Sequence, residues 1–253
     1  MRLCDPTDGR HLQTLNKHVL RVYSVVFSPG GDLLYIGSGM PRQGGTLQIY
    51  EQKPEGYVCA GCVADHGLPT WSVAVSPDGK LLAEGSEDRG IVLRSAVNAE
   101  NFESFAGLKG HTSSVNSVAF SPDSTLLASG SGDKTVILWD MKTRAARTTL
   151  RGHDDIVGPV AFSADGARLM AADVSGQIKI WDIKTARELL TLMLIGRDEW
   201  VAKAPDGRFD ASPGGRAVTS WKSDGKEADS KRIEKQYRAP GLLAKIWMGK
   251  PVH

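Results

Sequence analysis

Six histidines stand among the 253 residues, and four of them, His18, His66, His111 and His153, recur about 45 residues apart. An imidazole is the side chain best suited to proton transfer near neutral pH and is a common metal ligand. A spacing this even, however, places one histidine in each copy of a repeated unit instead of gathering several at one centre. The expected role is therefore structural, each ring turned into its own unit. Cys59-Ala60-Gly61-Cys62 offers two thiols, and His66 makes a third potential zinc ligand. A structural zinc site uses four, and redox pairs of this spacing sit at a helix start, whereas this pair lies between strand-forming runs. Gly37-Ser38-Gly39 and Gly130-Ser131-Gly132 resemble pieces of a phosphate loop but lead into no helix and complete no Walker pattern. The Asp-containing turns come one per unit, too sparse for a calcium loop. No enzyme activity, cofactor or metal is expected.

The elements that position these residues follow from the repeat. A Ser-Pro-Asp-Gly type turn occurs at Ser28-Pro29-Gly30-Gly31, Ser76-Pro77-Asp78-Gly79, Ser121-Pro122-Asp123-Ser124, Ser163-Ala164-Asp165-Gly166 and Ala204-Pro205-Asp206-Gly207, in steps of about 41 to 48 residues. Before the third turn runs Val115-Asn116-Ser117-Val118-Ala119-Phe120, whose alternation marks a strand with one buried face. After it come Leu126-Leu127-Ala128-Ser129-Gly130, the turn Gly132-Asp133-Lys134, the run Val136-Ile137-Leu138-Trp139-Asp140 and a fourth strand at Arg147-Thr148-Thr149-Leu150. Each unit is thus a four-stranded antiparallel sheet. A lone sheet of this size cannot bury both faces; stacking copies around an axis does so, which is the propeller solution.

Gly110-His111 and Gly152-His153 precede Trp139-Asp140 and Trp181-Asp182 by the same interval. On these residues the chain resembles the WD-repeat family over roughly residues 2–222. The resemblance implies an all-β propeller of four-stranded antiparallel blades, about five in number or part of a larger ring, to which the spacing of apolar residues near the end adds a short helical tail. It also implies a buried hydrogen-bonded set in each blade, supplied in the third unit by His111, Ser129, Asp133 and Trp139. The fourth unit keeps His153 and Trp181 but has Ala171 and Ser175 where serine and aspartate are expected. The second keeps His66 and Asp88 and carries Arg94 in the tryptophan position. The first keeps His18 with Tyr50 for tryptophan, and the last has Arg197 for histidine with Trp221 retained.

The domain reading is a partial blade over 1–15, blades one to five over 16–222, and a basic tail over 223–253. The opening strand is expected either to close a five-bladed ring or to belong to a larger one, with self-association if the ring is incomplete. From Lys222 to Lys250 the tail holds eight basic and four acidic residues, with helices expected over 228–237 and around Leu242–Trp247. The passage from Glu199 to Gly215, with Pro240-Gly241-Leu242-Leu243, looks like the end of bacterial WD-repeat proteins, some linked to a caspase-like peptidase domain; this implies a bacterial origin and a sensor or scaffold role.

A formal net charge of +2 gives no electrostatic case for nucleic acid or an anionic membrane. Three cysteines make no disulfide framework. Met1 to Asp5 has no apolar signal region, and no run approaches the ~20 apolar residues of a membrane span, so a cytoplasmic protein is expected. The function expected is a non-catalytic scaffold binding other proteins through rim loops, with Lys109, Thr112, Lys134, Arg151 and Asp154 as candidate contacts. The alternatives are a regulatory module and a ligand site in the central channel, where Val115, Ser117 and Val160 are the expected lining.

Overall fold

The computed structural model describes residues 1–15, 20–42, 44–98, 103–195, 199–213, 222–223, 226–227 and 238–247. His18, Arg197, Trp221 and the helix expected over 228–237 lie outside them. Among the described residues the repeat's alternating runs form strands. The first blade consists of β3 (Arg21–Phe27), β4 (Leu33–Gly39), β5 (Gly45–Lys53) and β6 (Gly56–His66); the second of β7 (Thr70–Val75), β8 (Leu81–Ser86), β9 (Ile91–Ser95) and β10 (Ser104–Leu108). The third comprises β11 (Val115–Phe120), β12 (Leu126–Ser131), β13 (Val136–Asp140) and β14 (Ala145–Leu150). The fourth comprises β15 (Val157–Phe162), β16 (Arg168–Asp173), β17 (Gln177–Asp182) and β18 (Glu188–Leu194). Within each, strands pair antiparallel in chain order.

The tight turns between first and second strands are held by the serine and aspartate that make the repeat visible. Ser121 Oγ donates to Asp123 (2.6 Å) and accepts from Leu126 N (2.9 Å), while Thr125 N donates to Asp123 (3.1 Å). Ser76/Asp78 and Ser163/Asp165 repeat this arrangement.

The cores lie between blades. Tyr35, Leu47 and Ile49 of the first meet Val73 and Leu82 of the second. Leu93 and Leu108 of the second meet Val118, Leu127 and Trp139 of the third. Ala128, Leu138 and Leu150 of the third meet Val157, Val160 and Trp181 of the fourth. Each junction also carries one hydrogen bond of the same kind: Val73 N donates to Ser24 Oγ (3.0 Å), Val118 N to Ser72 Oγ (3.1 Å) and Val160 N to Ser117 Oγ (3.2 Å). Val115, Ser117 and Val160, expected along the channel, are instead parts of these junctions: Val115 and Val160 are buried and Ser117 bridges two blades.

The two ends depart from the pattern. Strands β1 (Arg2–Cys4) and β2 (His11–Thr14) form a separate hairpin whose Leu3, with Met1 and Leu15, packs on Leu34, Ile36 and Tyr50 of the first blade. Gln13 clamps it there, donating to Tyr57 O and accepting from Tyr57 N, both at 2.8 Å. At the other end, β19 (Trp200–Lys203) and β20 (Phe209–Ala211) were expected to begin a fifth blade. They extend the fourth instead, β19 pairing with β18 from Thr191↔Lys203 to Leu194↔Trp200. The physical reason lies in the fourth blade's face towards a following one: Pro159 and Ala172 stand where Ser117 and Gly130 stand in the third unit, so that face lacks the hydroxyl and the glycine that receive the next blade at the regular junctions. Helix α1 (Leu242–Trp247) follows Pro240-Gly241 and packs Leu242 and Ile246 on Ile180, Leu190 and Ala202.

Candidate functional site

In the second, third and fourth blades the loop before the first strand and the turn joining second to third strands reach the same edge, and His66, His111 and His153 are buried just beneath it. In the third blade a relay of donors runs inward. Trp139 Nε1 donates to Ser129 Oγ (2.8 Å), Ser129 Oγ lies 2.7 Å from His111 Nε2, and His111 Nδ1 lies 2.9 Å from Asp133. Indole can only donate and an ionised carboxylate only accept, so a neutral imidazole protonated on Nδ1 satisfies every member. Asp133 also accepts from Thr112 N and Thr135 N, tying both loops together. Burial pushes the Asp133 carboxyl up, but hydrogen bonds from Thr135, Thr112 and His111 outweigh it and hold the carboxyl below its usual value of 3.8.

The fourth blade reaches the same end differently. Ser175 occupies the aspartate position of the repeat, yet Asp173, two residues earlier, takes the role, meeting His153 Nδ1 at 2.7 Å and accepting from Ser175 and Gln177 N. Ala171 has no hydroxyl, so the buried His153 Nε2 is without a partner. Restoring it by Ala171→Ser is expected to stabilise the chain by about 1 kcal/mol, seen as a higher denaturation midpoint.

In the second blade the neutral pair is replaced by charge. Glu84 occupies the place of Ser129 and Arg94 that of Trp139. Arg94 Nε meets Glu84 at 2.5 Å and its Nη2 meets Asp65 at 2.5 Å, with Arg94 and Glu84 only 2% and 1% exposed. Burial pushes the Glu84 carboxyl up against the pull of Arg94. His66 keeps Asp88 at 2.9 Å while its Nε2 is without a partner.

Asp88, Asp133 and Asp173 are all held below the usual carboxylate value, burial being offset by their hydrogen bonds. Carboxylates lowered on folding contribute stability that is present above pH 3.8 and lost as pH falls through their lower folded values. The contribution of these three carboxylates to the urea midpoint is therefore expected to be lost below pH 4.

Above this buried layer lie the candidate contact residues. Lys109, Thr112, Lys134, Arg151 and Asp154 are all exposed. Lys134 Nζ donates to Asp154 O (2.7 Å) and Gln177 Nε2 to Asp154 Oδ2 (3.0 Å), joining the third and fourth blades. Lys109 lines a different cleft, with Asp65, His66 and Arg89, and Thr112 is tied to Asp133. Sequence reasoning missed Ile156 and Val174, 42% and 65% exposed and joined by Val174 N donating to Ile156 O (3.0 Å). The same backbone bond joins Glu87 to Pro69 and Gly132 to Ser114, so the fourth blade carries an exposed apolar pair where the others carry small, polar or proline residues. Nearer the first strands, the half-buried rings of Tyr23 and Trp71 lie 4.3 Å apart at the bulges of β3 and β7.

Cys59 and Cys62 fall on one face of β6 because a bulge between them adds a residue, and both are free thiols. Among the described residues no three metal-ligating side chains converge, and no helix is long and apolar enough to cross a membrane.

The family model for the WD domain, G-beta repeat, matches residues 9–51, 102–140 and 145–182. These three stretches are WD40 repeats. The stretch between the first two matches holds β7 to β9 of the second blade, in which Glu84 and Arg94 replace serine and tryptophan, and the four-stranded sheet persists there without those residues. A solved structure described as "Structure of U3-55K" is similar, with 19% identity over 85% of this chain and 70% of that one and a TM-score of 0.61; at this identity the likeness is one of fold. No curated protein matches the chain.

Proposed function

We propose that the chain is a protein-binding module whose contact surface is the histidine-loop rim of the third and fourth blades. WD40 propellers commonly mediate protein–protein interaction, and the observation that selects this rim is the exposed Ile156–Val174 pair, whose loop also carries Asp155 and the Asp154 held by Lys134 and Gln177. An apolar centre with a polar surround is the anatomy of a binding hot spot. The buried networks beneath hold the loops in place, so the surface is ordered before a partner arrives, which lowers the entropy lost on binding. In this reading His66, His111 and His153 serve position, each engaged with its own aspartate.

The test is affinity capture followed by titration of the recovered partner. Ile156→Glu with Val174→Glu is expected to weaken binding about 30-fold or more and to leave the melt nearly unchanged, since both side chains face water. Val97→Glu, equally exposed (67%) at the opposite edge, is expected to change neither. Undiminished binding by the double variant would remove the rim from consideration.

A further inference from the structure

Neighbouring blades are joined differently along the histidine-loop edge. Between the third and fourth, Lys134 Nζ crosses the seam and donates to Asp154 O (2.7 Å). Arg89 holds the same place in the second blade. Each follows the aspartate that serves its histidine, each has a positive φ (68° and 76°), and each N–H donates to the serine three residues back, Ser131 or Ser86. Yet Arg89 does not tie the seam: among the described residues its guanidinium forms no hydrogen bond or ion pair. The seam between the second and third blades is open, as two clefts of about 550 and 400 Å³ that share Asp88 and Arg89 as a common wall. The first, toward the first strands, lies between Leu68 and Glu87 on one side and Thr112, Ser113 and Ser114 on the other. The second, toward the fourth strand, is bounded by Asp65, Lys109 and Gly110 beside Leu108.

The charges on these walls are unevenly satisfied. Asp65 is engaged by Arg94 Nη2 (2.5 Å), and Asp88 by His66 Nδ1 and Gly90 N, both at 2.9 Å. The ammonium of Lys109, like the Arg89 guanidinium, is exposed and has no hydrogen bond or ion pair among the described residues. The same holds for the side-chain hydroxyls of Thr112, Ser113 and Ser114. The backbone that carries them is fixed: Thr112 N donates to Asp133 (2.9 Å), Gly132 N to Ser114 O (2.9 Å) and Ser131 Oγ to Ser113 O (3.3 Å). We propose that this seam holds an extended acidic segment of a partner protein. An aspartate or glutamate of that segment meets Arg89 and Lys109, and its peptide groups meet the three hydroxyls. Hydrogen bonds from a guanidinium to a carboxylate are charge-assisted and directional, and a groove whose walls are set beforehand loses little entropy on binding. Glu87 repels a second carboxylate at the other end, so the acidic residue sits at the Lys109 end. The next seam offers no such pair of cations, because Lys134 is already held by Asp154. The groove shares no residue with the Ile156–Val174 surface, so either proposal can fail alone.

The probe is a phage-displayed library of short random peptides, selected on the full chain. Enrichment of peptides with Asp or Glu at one fixed position is expected. A labelled synthetic copy of the most enriched peptide is then titrated into the chain by fluorescence anisotropy. Arg89→Glu with Lys109→Glu is expected to weaken its binding at least tenfold, the loss of a hydrogen bond to a charged group. The melt is expected to stay unchanged, because both side chains face water. Selection on that double variant is expected to return Lys or Arg at the same position. Absence of enrichment, enrichment without an acidic position, or binding indifferent to the double variant overturns the proposal. So does binding abolished by Ile156→Glu with Val174→Glu and untouched by the charge reversal, which would give the peptide to the rim and leave that reading standing.

Discussion

Arg94→Ala is expected to destabilise the chain by about 3–5 kcal/mol, because it leaves the buried Glu84 carboxylate without its counter-charge. For a chain of this size that is a fall in Tm of about 10 °C. Glu84→Ser alone is expected to cost a similar amount by stranding the guanidinium, although Asp65, 35% exposed in its side chain, retains part of its hold on Arg94. The double variant Glu84→Ser with Arg94→Trp rebuilds the serine–tryptophan arrangement of the third blade and is expected to recover most of the loss. Burial raises the Glu84 carboxyl despite Arg94, so the ionised pair is held at a desolvation cost that the neutral pair does not incur. Thermal melts of the parent chain, Glu84→Ser, Arg94→Trp and the double variant form a double-mutant cycle. Additive losses, with no recovery in the double variant, would show that the charged set is not a replacement for the neutral one.

The second large effect is graded. Gly130→Ala would set a Cβ 2.7 Å from Gly158 O and 2.9 Å from Val157 Cγ1, and Gly85→Ala a Cβ 2.8 Å from Val115 Cγ1. At Gly37 the nearest atom is 3.2 Å away. Backbone yields less readily than a side-chain methyl, so the expected order of destabilisation is Gly130, then Gly85, then Gly37. Overpacking at the first is expected to cost about 1–3 kcal/mol. Chemical denaturation of the three variants reads the order directly, and equal small losses would mean that the blades are not as closely apposed as the glycines imply.

These glycines show where sequence reasoning stopped. Gly37 and Gly130 stood out as fragments of a phosphate loop; their role is to let one blade approach the next, which no pattern within a single strand reveals. The turn spacing and the alternation of apolar residues were enough to find four blades, and the third blade's His111, Ser129, Asp133 and Trp139 lie within hydrogen-bonding reach as its repeat signature implies. Asp173 was missed because a carboxylate can serve the histidine from two residues outside the repeat register, a freedom of side-chain reach and not of spacing. Glu84 was missed too, although its signal was present: a buried base at Arg94 demands a buried acid, and Glu84 occupies the matching serine position. The attachment of β19 and β20 to the fourth blade was less legible, since alternation predicts a hairpin without saying which edge it joins. Ile156 and Val174 lie 18 residues apart, and only the backbone bond between their loops makes them one surface.

The assignment of binding to the histidine-loop rim is tested most directly by hydrogen exchange of the chain, free and bound to its captured partner. Slowed exchange is predicted at 133–135, 154–156 and 174–177, with the turns at 78–80, 123–125 and 165–167 on the opposite edge unchanged. Protection at those turns, with the Ile156 and Val174 loops unaffected, would contradict it.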